Sequence, residues 1–173
     1  EMFHKMGLGA LIVIGGDGTL AIGHKFFLRG IPVVGVPKTI DNDIVGTTNC
    51  FGFDTAVDFA TDAINRLHTT AGAHKRILGV EVMGRHAGWT AAAGGLADEK
   101  DGDGPQVILF PEIVFDEAKF LAKVDATLKK VGWCTIVASQ GLHAPSGESP
   151  SEPGAKDRYG PPPPGRPAPI SPS

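Results

Sequence analysis

Two short segments of the chain contain the residue types that phosphate chemistry requires. The first, Gly-Gly-Asp-Gly-Thr at residues 15–19, follows an apolar run and precedes a helical pattern. Glycines let backbone N–H groups approach a polyphosphate closely, and the N-terminus of the following helix adds a favourable dipole. Asp17 could hold a magnesium ion that neutralises phosphate charge. A tight strand-to-helix turn that binds nothing is the alternative interpretation.

The second segment is Pro-Lys-Thr-Ile-Asp-Asn-Asp at residues 37–43. Asp41 and Asp43 are two residues apart, so they share one face if the chain is extended, with Lys38 and Thr39 beside them. One carboxylate could accept the proton of an alcohol and the other could bind the metal, while the lysine and the hydroxyl stabilise a transferring phosphoryl group. A solvated loop is the alternative, because Asp and Asn are common turn residues.

Two arginines flank a third strand pattern. Arg85 lies in Met-Gly-Arg-His-Ala-Gly-Trp at residues 83–89, between the end of the strand and a helix, where it could grip a phosphate or a sugar. Arg76 precedes the same strand and could serve a phosphate at its other end or at a subunit border. Either arginine could instead form a surface salt bridge.

The elements that position these residues alternate between strand and helix. Apolar runs predict strands over residues 8–14, 33–36, 77–82, 107–110 and 135–138. Helical periodicity predicts helices over residues 20–28, 55–70, 87–96 and 116–131. The sequence therefore predicts an α/β fold, a mainly parallel sheet buried on both sides by helices. Ligands of such sheets bind at the carboxyl ends of the strands, which is where the polar motifs occur.

Local signals place some of the boundaries. Asp54 or Thr55 is the predicted N-cap of the second long helix, and Asp116 that of the last helix, which Gly132 ends. The buried stripe predicted for this last helix consists of Leu121, Val124, Leu128 and Val131. The acidic, glycine-rich residues 98–105 predict a loop.

The composition excludes several classes of protein. The 173 residues are 42% hydrophobic and carry a net charge of -3, so no basic excess indicates a nucleic-acid or membrane partner. The two cysteines, Cys50 and Cys134, stand far apart, which argues against a disulfide scaffold or a zinc site. The longest apolar run, residues 8–14, is too short to span a bilayer. A cytoplasmic protein is expected.

The last part of the chain differs in composition from the rest. Ten of the fourteen prolines lie in residues 145–173. Such a segment cannot bury enough apolar surface to offset its ordering entropy, so the prediction is a domain over residues 1–144 and a disordered Pro/Gly/Ser-rich tail. An out-of-frame ending is the alternative.

Four strings together resemble the phosphofructokinase family. They are Gly-Gly-Asp-Gly-Thr at 15–19, Pro-Lys-Thr-Ile-Asp-Asn-Asp at 37–43, Gly-Phe-Asp-Thr-Ala at 52–56 and Met-Gly-Arg-His-Ala-Gly-Trp at 83–89. The similarity runs through residues 8–142. It implies a Rossmann-like fold, Mg²⁺, and phosphoryl transfer to the C1 hydroxyl of fructose 6-phosphate, giving fructose 1,6-bisphosphate in glycolysis. It also implies a homo-oligomer, a dimer or tetramer, when full length.

The resemblance implies a role for each matching residue. Asp41 matches the base that takes the proton of the sugar hydroxyl, with Lys38 and Thr39 beside it in the catalytic group. Asp17 matches the magnesium ligand, and Asp43 is the second carboxylate expected at the metal. The donor's phosphate loop is expected to comprise Gly15, Gly16, Gly18 and Thr19. The residues expected to contact the sugar phosphate are Thr39, Asp41, Met83, Gly84 and Arg85.

Two further positions complete the implied substrate site. Arg76 matches an arginine that reaches the sugar phosphate of a neighbouring subunit in bacterial homotetramers. Gln140 stands where the family usually has a glutamate that contacts the sugar hydroxyls, and a glutamine keeps an acceptor while adding donors. Family segments expected before Glu1 and after Gln140 do not occur in the chain, so an inactive or ligand-binding remnant remains an alternative.

The donor depends on two positions in the resemblance. Pyrophosphate-using members typically carry aspartate where this chain has Gly18, and glycine leaves room for the α-phosphate of ATP. Lys38 is typical of pyrophosphate-using members, although some ATP-using members combine this glycine with this lysine. ATP is therefore the expected donor, with pyrophosphate as the alternative. NAD and lipid kinases share the first string only.

Overall fold

The computed structural model describes residues 2–97 and 104–143. The predicted tail at 145–173 and most of the predicted loop at 98–105 lie outside these ranges. The elements in chain order are α1 (Met2–Lys5), β1 (Leu11–Gly15), α2 (Asp17–Phe27), β2 (Val33–Pro37), α3 (Phe53–His74), β3 (Ile77–Val82), α4 (Trp89–Ala93), a 3-10 helix (Gly94–Ala97), β4 (Val107–Leu109), α5 (Glu117–Val131) and β5 (Cys134–Ser139). The chain forms two compact units, Glu1–Ala56 and Val57–Ser173. The predicted order of the main elements is confirmed.

The first unit contains a two-stranded parallel sheet with α2 packed on it. β1 and β2 pair from Leu11 opposite Val33 to Gly15 opposite Pro37. The helix α2 packs closely on β1 where it has Gly23. A Cβ at this residue would lie only 3.2 Å from a Val13 methyl group. This packing places the N-terminus of α2 directly after the carboxyl end of β1.

One face of this small sheet is exposed, which differs from the prediction. Ile12, Ile14 and Val34 keep 70%, 60% and 58% of their surface exposed, whereas Val13, which alternates with the two isoleucines, is partly buried. The continuous apolar run predicts burial on both faces. That expectation is wrong for β1 in this unit, because α2 packs against only one set of the alternating side chains.

The second unit contains a three-stranded parallel sheet in the order β3-β5-β4. β5 lies in the centre, with Val82 opposite Ser139 on one side and Val107 opposite Ile136 on the other. Val137 belongs to a core cluster that includes Ile64 of α3, while its neighbour Ile136 packs in a second cluster with Val124 of α5. Because adjacent strand residues point to opposite faces, helices cover both sides of this sheet, as predicted.

The boundaries of α5 follow the predicted signals, and its buried stripe follows the prediction in part. The Asp116 carboxylate accepts a hydrogen bond from the Lys119 N–H at 3.0 Å, and Gly132 ends the helix in the left-handed conformation at φ 82°. Leu121 and Val131, however, are 47% and 40% exposed. The side chains that this helix buries or half-buries are Phe120, Val124, Thr127 and Leu128. The predicted stripe is thus confirmed at Val124 and Leu128 and wrong at Leu121 and Val131, because Phe120, which packs on Phe115, takes the inward position beside Leu121.

The N-cap predicted for α3, Asp54 or Thr55, is wrong. The helix α3 begins at Phe53, one residue before Asp54. The Asp54 carboxylate instead accepts hydrogen bonds from the Asn49 side-chain amide at 2.8 and 2.9 Å.

Within residues 2–97 and 104–143, no helix combines the length and the apolar character needed to cross a membrane.

Substituting Asp116 with alanine in the full-length protein is expected to lower the melting temperature by a few degrees near neutral pH. The Lys119 N–H bonded to the carboxylate, together with the Lys119 side chain, lowers the pKa of Asp116. A carboxylate with a lowered folded-state pKa stabilises above its unfolded pKa and stops stabilising as the pH falls through its folded pKa. The melting temperatures of the unaltered protein and of Asp116→Ala should therefore be measured from neutral to acid pH, and their difference should vanish in acid. A difference in melting temperature that persists in acid would contradict the capping account. Asp125→Ala, which removes an exposed partner of Lys129, is the control and should change the melting temperature less.

Candidate active site

The segment at residues 15–19 forms the junction of β1 and α2. Gly15 ends the strand, Gly16 is the N-cap, and Asp17 is the first residue of the helix. A Cβ at Gly15 would lie 2.6 Å from the Thr19 side chain, so only glycine fits there. No side chain among the described residues caps the helix at Gly16. The first N–H groups of α2 are therefore available to an anion.

Gly18 lies in the first turn of α2 and faces open space. Apart from its chain neighbours and the backbone of its own helix, no atom of the described residues lies within 4 Å of the position that a Cβ at Gly18 would occupy. Asp17, Gly18 and Thr19 are all exposed. A bulky phosphate chain can thus approach this turn without meeting a side chain of residue 18.

The second segment, residues 37–43, lies beside the first. The Lys38 N–H donates to the Gly15 carbonyl at 2.9 Å, and a Cβ added at Gly16 would lie 3.6 Å from the Thr39 Cβ. Both contacts lie within the first unit. The structure therefore brings the glycine loop and the aspartate-containing loop together at the carboxyl ends of two neighbouring parallel strands, as the sequence predicts.

The extended conformation that would place Asp41 and Asp43 on one face does not occur, so that expectation is wrong. Ile40 and Asp41 form a turn, and Asn42 between the two carboxylates adopts the left-handed conformation at φ 52°. The extended alternation on which the prediction depends is broken there. Asp41 is partly buried, and its N–H donates to the Thr39 Oγ1 at 3.2 Å. Asp43 is exposed.

The loop that carries Asp41 is closed by contacts that the sequence prediction did not include. The Phe51 N–H donates to the Pro37 carbonyl at 3.1 Å, which joins the two ends of the loop. Inside it, the Asn42 Oδ1 accepts from the Cys50 N–H at 2.8 Å. The available signal was the asparagine itself, because Asn is enriched among residues that adopt the left-handed conformation.

The segment at residues 83–85 lies at the carboxyl end of β3, in the second unit. Gly84 has φ 133°, and a Cβ there would collide with the Ala87 carbonyl. The Gly84 carbonyl accepts hydrogen bonds from the Ser139 hydroxyl and, at 3.2 Å, from the Gly141 N–H. These bonds bring Met83, Gly84 and Arg85 next to Gln140, which follows β5. Ser139 has no role in the sequence prediction, although its place beside Gln140 could have suggested one.

Arg76 lies at the opposite end of the same sheet. It precedes β3, and its carbonyl accepts from the Cys134 N–H at 3.2 Å, where β5 begins. The six residues of β3, which lie between Arg76 and Gly84, span about 20 Å at 3.3 Å per residue. Arg76 and Arg85 therefore do not meet in one site within this chain.

The cation expected near Asp17 is compatible with these residues. Within the described ranges, no group of three or more His, Cys, Asp or Glu side chains gathers. Mg²⁺ is usually held by only one or two carboxylates together with phosphate oxygens and water. An exposed Asp17 in the first turn of an uncapped helix suits this arrangement, because the phosphates and the cation would bind side by side. Both cysteines are buried, and burial raises the pKa of the Cys134 thiol.

Comparison with known proteins places these features in context. The family model described as Phosphofructokinase matches residues 1–156. The chain is 54% identical over 126 residues to a protein of Chloroflexus aggregans named ATP-dependent 6-phosphofructokinase, covering 73% of this chain and 34% of that protein. It is 49% identical over 160 residues to the pyrophosphate–fructose 6-phosphate 1-phosphotransferase of Amycolatopsis mediterranei, covering 92% and 46% of the two proteins.

A solved structure resembles this chain as well. The pyrophosphate-dependent phosphofructokinase of Nitrosospira multiformis superposes with a TM-score of 0.75 at 36% identity, covering 84% of this chain and 40% of that one. The chain thus spans less than half the length of each of these three relatives.

Proposed function

The chain belongs to the phosphofructokinase family, and we propose that its protein transfers the γ-phosphoryl group of ATP to the C1 hydroxyl of fructose 6-phosphate. The observation that carries the proposal is the hydrogen bond from the Lys38 N–H to the Gly15 carbonyl at 2.9 Å, which joins the two loops. It sets the uncapped N-terminus of α2, which suits a phosphate chain, against the loop that holds Asp41. A phosphoryl donor and an acceptor alcohol could therefore meet at one edge of the sheet.

In the proposed reaction, Asp41 accepts the proton of the C1 hydroxyl as the sugar oxygen attacks the γ-phosphorus. A bond forms between that oxygen and phosphorus, and the bond to the β–γ bridging oxygen breaks, releasing ADP. The backbone N–H groups at the start of α2 bind the donor phosphates, while Lys38 and Thr39 stabilise the transferring group. Mg²⁺, held by Asp17 with Asp43 as a second carboxylate, would neutralise charge on the phosphates.

A second group of residues is proposed to contact the sugar and its phosphate. Arg85 offers a planar guanidinium for the phosphate, beside Met83 and Gly84, and Gln140 offers an amide to the sugar hydroxyls. Hydrogen bonds to the Gly84 carbonyl keep these two segments adjacent. Arg76 is proposed to act on the substrate of a neighbouring subunit, which its place at the other end of β3 allows, so the protein is proposed to be a homo-oligomer.

The protein is also proposed to be cytoplasmic, without nucleic-acid or membrane partners.

ATP is the proposed donor because Gly18 leaves the first turn of α2 open. Pyrophosphate is the second candidate, favoured by Lys38 and by relatives that are named for pyrophosphate.

Steady-state assays of the full-length protein with each donor test the proposal. With fructose 6-phosphate and Mg²⁺, kcat/KM for ATP is expected to exceed that for pyrophosphate by about tenfold or more, which corresponds to a difference of about 1.4 kcal/mol. Coupled detection of fructose 1,6-bisphosphate measures both rates. A higher value with pyrophosphate would favour the second candidate, and no turnover with either donor would indicate an inactive remnant.

A further inference from the structure

We propose that Asn42 is a positioning residue for Asp41, acting through its left-handed backbone and its side-chain bond across the loop. The inference rests on the proposed function, since it assigns Asn42 a part in the same reaction. Asn42 does not need to touch a substrate for this role. It acts on the direction in which the preceding carboxylate points.

The backbone of Asn42 reverses the course of the loop directly after Asp41. Its φ of 52° lies in the left-handed region, which most residues with a Cβ avoid and which asparagine and aspartate tolerate better than others. This reversal separates Asp41, which is partly buried, from Asp43, which is exposed. Without it, an extended segment would place the two carboxylates on one face, and Asp41 would point in a different direction.

The side chain of Asn42 ties this reversal to the far side of the loop. Its Oδ1 accepts from the Cys50 N–H at 2.8 Å, and its Nδ2 donates to the Thr48 carbonyl at 3.4 Å. Cys50 is only 3% exposed, so water competes weakly for the first of these bonds. The Asn42 side-chain amide therefore faces into the loop, where both its oxygen and its nitrogen form hydrogen bonds.

The loop needs this internal connection because its ends alone do not fix its middle. The bond between Phe51 and Pro37 closes the loop. Thr47 bonds to the nearby Ile44 and Cys50, and neither bond reaches the residues beside Asp41. The bonds of Asn42 divide the loop into two shorter segments. Asp41 then lies only a few residues from the end of β2. A general base must lie within hydrogen-bonding reach of its proton, and a misplacement of about 1 Å can cost about 100-fold in rate.

Two substitutions separate the backbone from the side chain. Asn42→Gly keeps access to the left-handed conformation but removes the acceptor for the Cys50 N–H. Asn42→Asp keeps both the acceptor and the conformational tolerance. Asn49→Ala is the matched control, because Asn49 lies in the same loop and bonds to Asp54 rather than across to the residues near Asp41.

The experiment measures kcat, KM for fructose 6-phosphate and thermal unfolding of the full-length protein and these variants, with rates expressed per folded molecule. Asn42→Gly is expected to lower kcat by about 10- to 100-fold while KM changes by less than about threefold. Asn42→Asp should have a higher kcat than Asn42→Gly, and Asn49→Ala should stay within about twofold of the unaltered protein.

Three outcomes would overturn the inference: a kcat for Asn42→Gly within twofold of the unaltered protein, equal losses in Asn42→Gly and Asn49→Ala, or a lowered melting temperature alone. Each would reduce Asn42 to a general stabiliser of the loop. If the unaltered protein turns over neither donor, the proposed function fails as well. An active unaltered protein with an equally active Asn42→Gly variant would refute this inference alone.

Discussion

Asp41→Asn in the full-length protein is expected to lower kcat by about 1000-fold, within the range that a general base contributes. Asparagine has nearly the shape of aspartate but cannot accept the proton of the sugar hydroxyl. The backbone bond from residue 41 to Thr39 Oγ1 does not depend on the side chain, so the turn should persist. Fructose 6-phosphate should therefore still bind, because Arg85 is the residue proposed to bind its phosphate.

Turnover and sugar binding must be measured separately to test this. Steady-state kinetics give kcat, and calorimetric titration with fructose 6-phosphate gives the Kd, which should change by less than about tenfold. Asp58→Asn is the matched control, since it makes the same change at an exposed carboxylate of α3 and should leave both values unchanged. Near-normal turnover in Asp41→Asn would remove Asp41 as the base.

Gly18→Asp is expected to reduce kcat/KM for ATP by about 100-fold, the factor that a few kcal/mol of like-charge repulsion produces. The new carboxylate would project into the open space at the first turn of α2, where the α-phosphate of ATP is proposed to lie. The protein itself should remain folded, because an acidic residue in the first turn of a helix is stabilising and no neighbouring atom obstructs it. The KM for fructose 6-phosphate should change little.

The control for this variant separates charge from size. Gly18→Ala adds a methyl group without charge and improves the helix propensity at this position. It should therefore retain much more ATP-dependent activity than Gly18→Asp. Parallel measurement of kcat/KM for ATP in both variants, with melting temperatures, tests the argument. Unchanged ATP kinetics in Gly18→Asp would mean that residue 18 does not face the nucleotide.

The sequence was sufficient for the parts of the fold that local patterns determine. Apolar runs located the strands, and Asp116 and Gly132 marked the ends of α5 because capping depends on a few adjacent residues. The neighbouring positions of the two phosphate-related loops also followed from sequence. Strands that alternate with helices pair in parallel, and their carboxyl ends then share an edge.

The sequence was insufficient where distant contacts decide the outcome. Asp41 and Asp43 were expected on one face because nothing local showed that Cys50, eight residues beyond Asn42, would hold it in a left-handed turn. Periodicity also could not show that Phe120 rather than Leu121 would face the core, since both are apolar and adjacent. The exposed face at Ile12 and Ile14 reflects which helices pack on the sheet, and a strand pattern does not contain that information.

The central place of β5 has a consequence for how the second unit is made. This strand separates β3 from β4, yet it is the last of the three to leave the ribosome. Until Ser139 has been synthesised, a nascent polypeptide carries two apolar strands whose common partner does not yet exist. Unpaired strand edges of this kind invite association with other chains. The second unit is therefore most exposed to such association during the interval before β5 emerges.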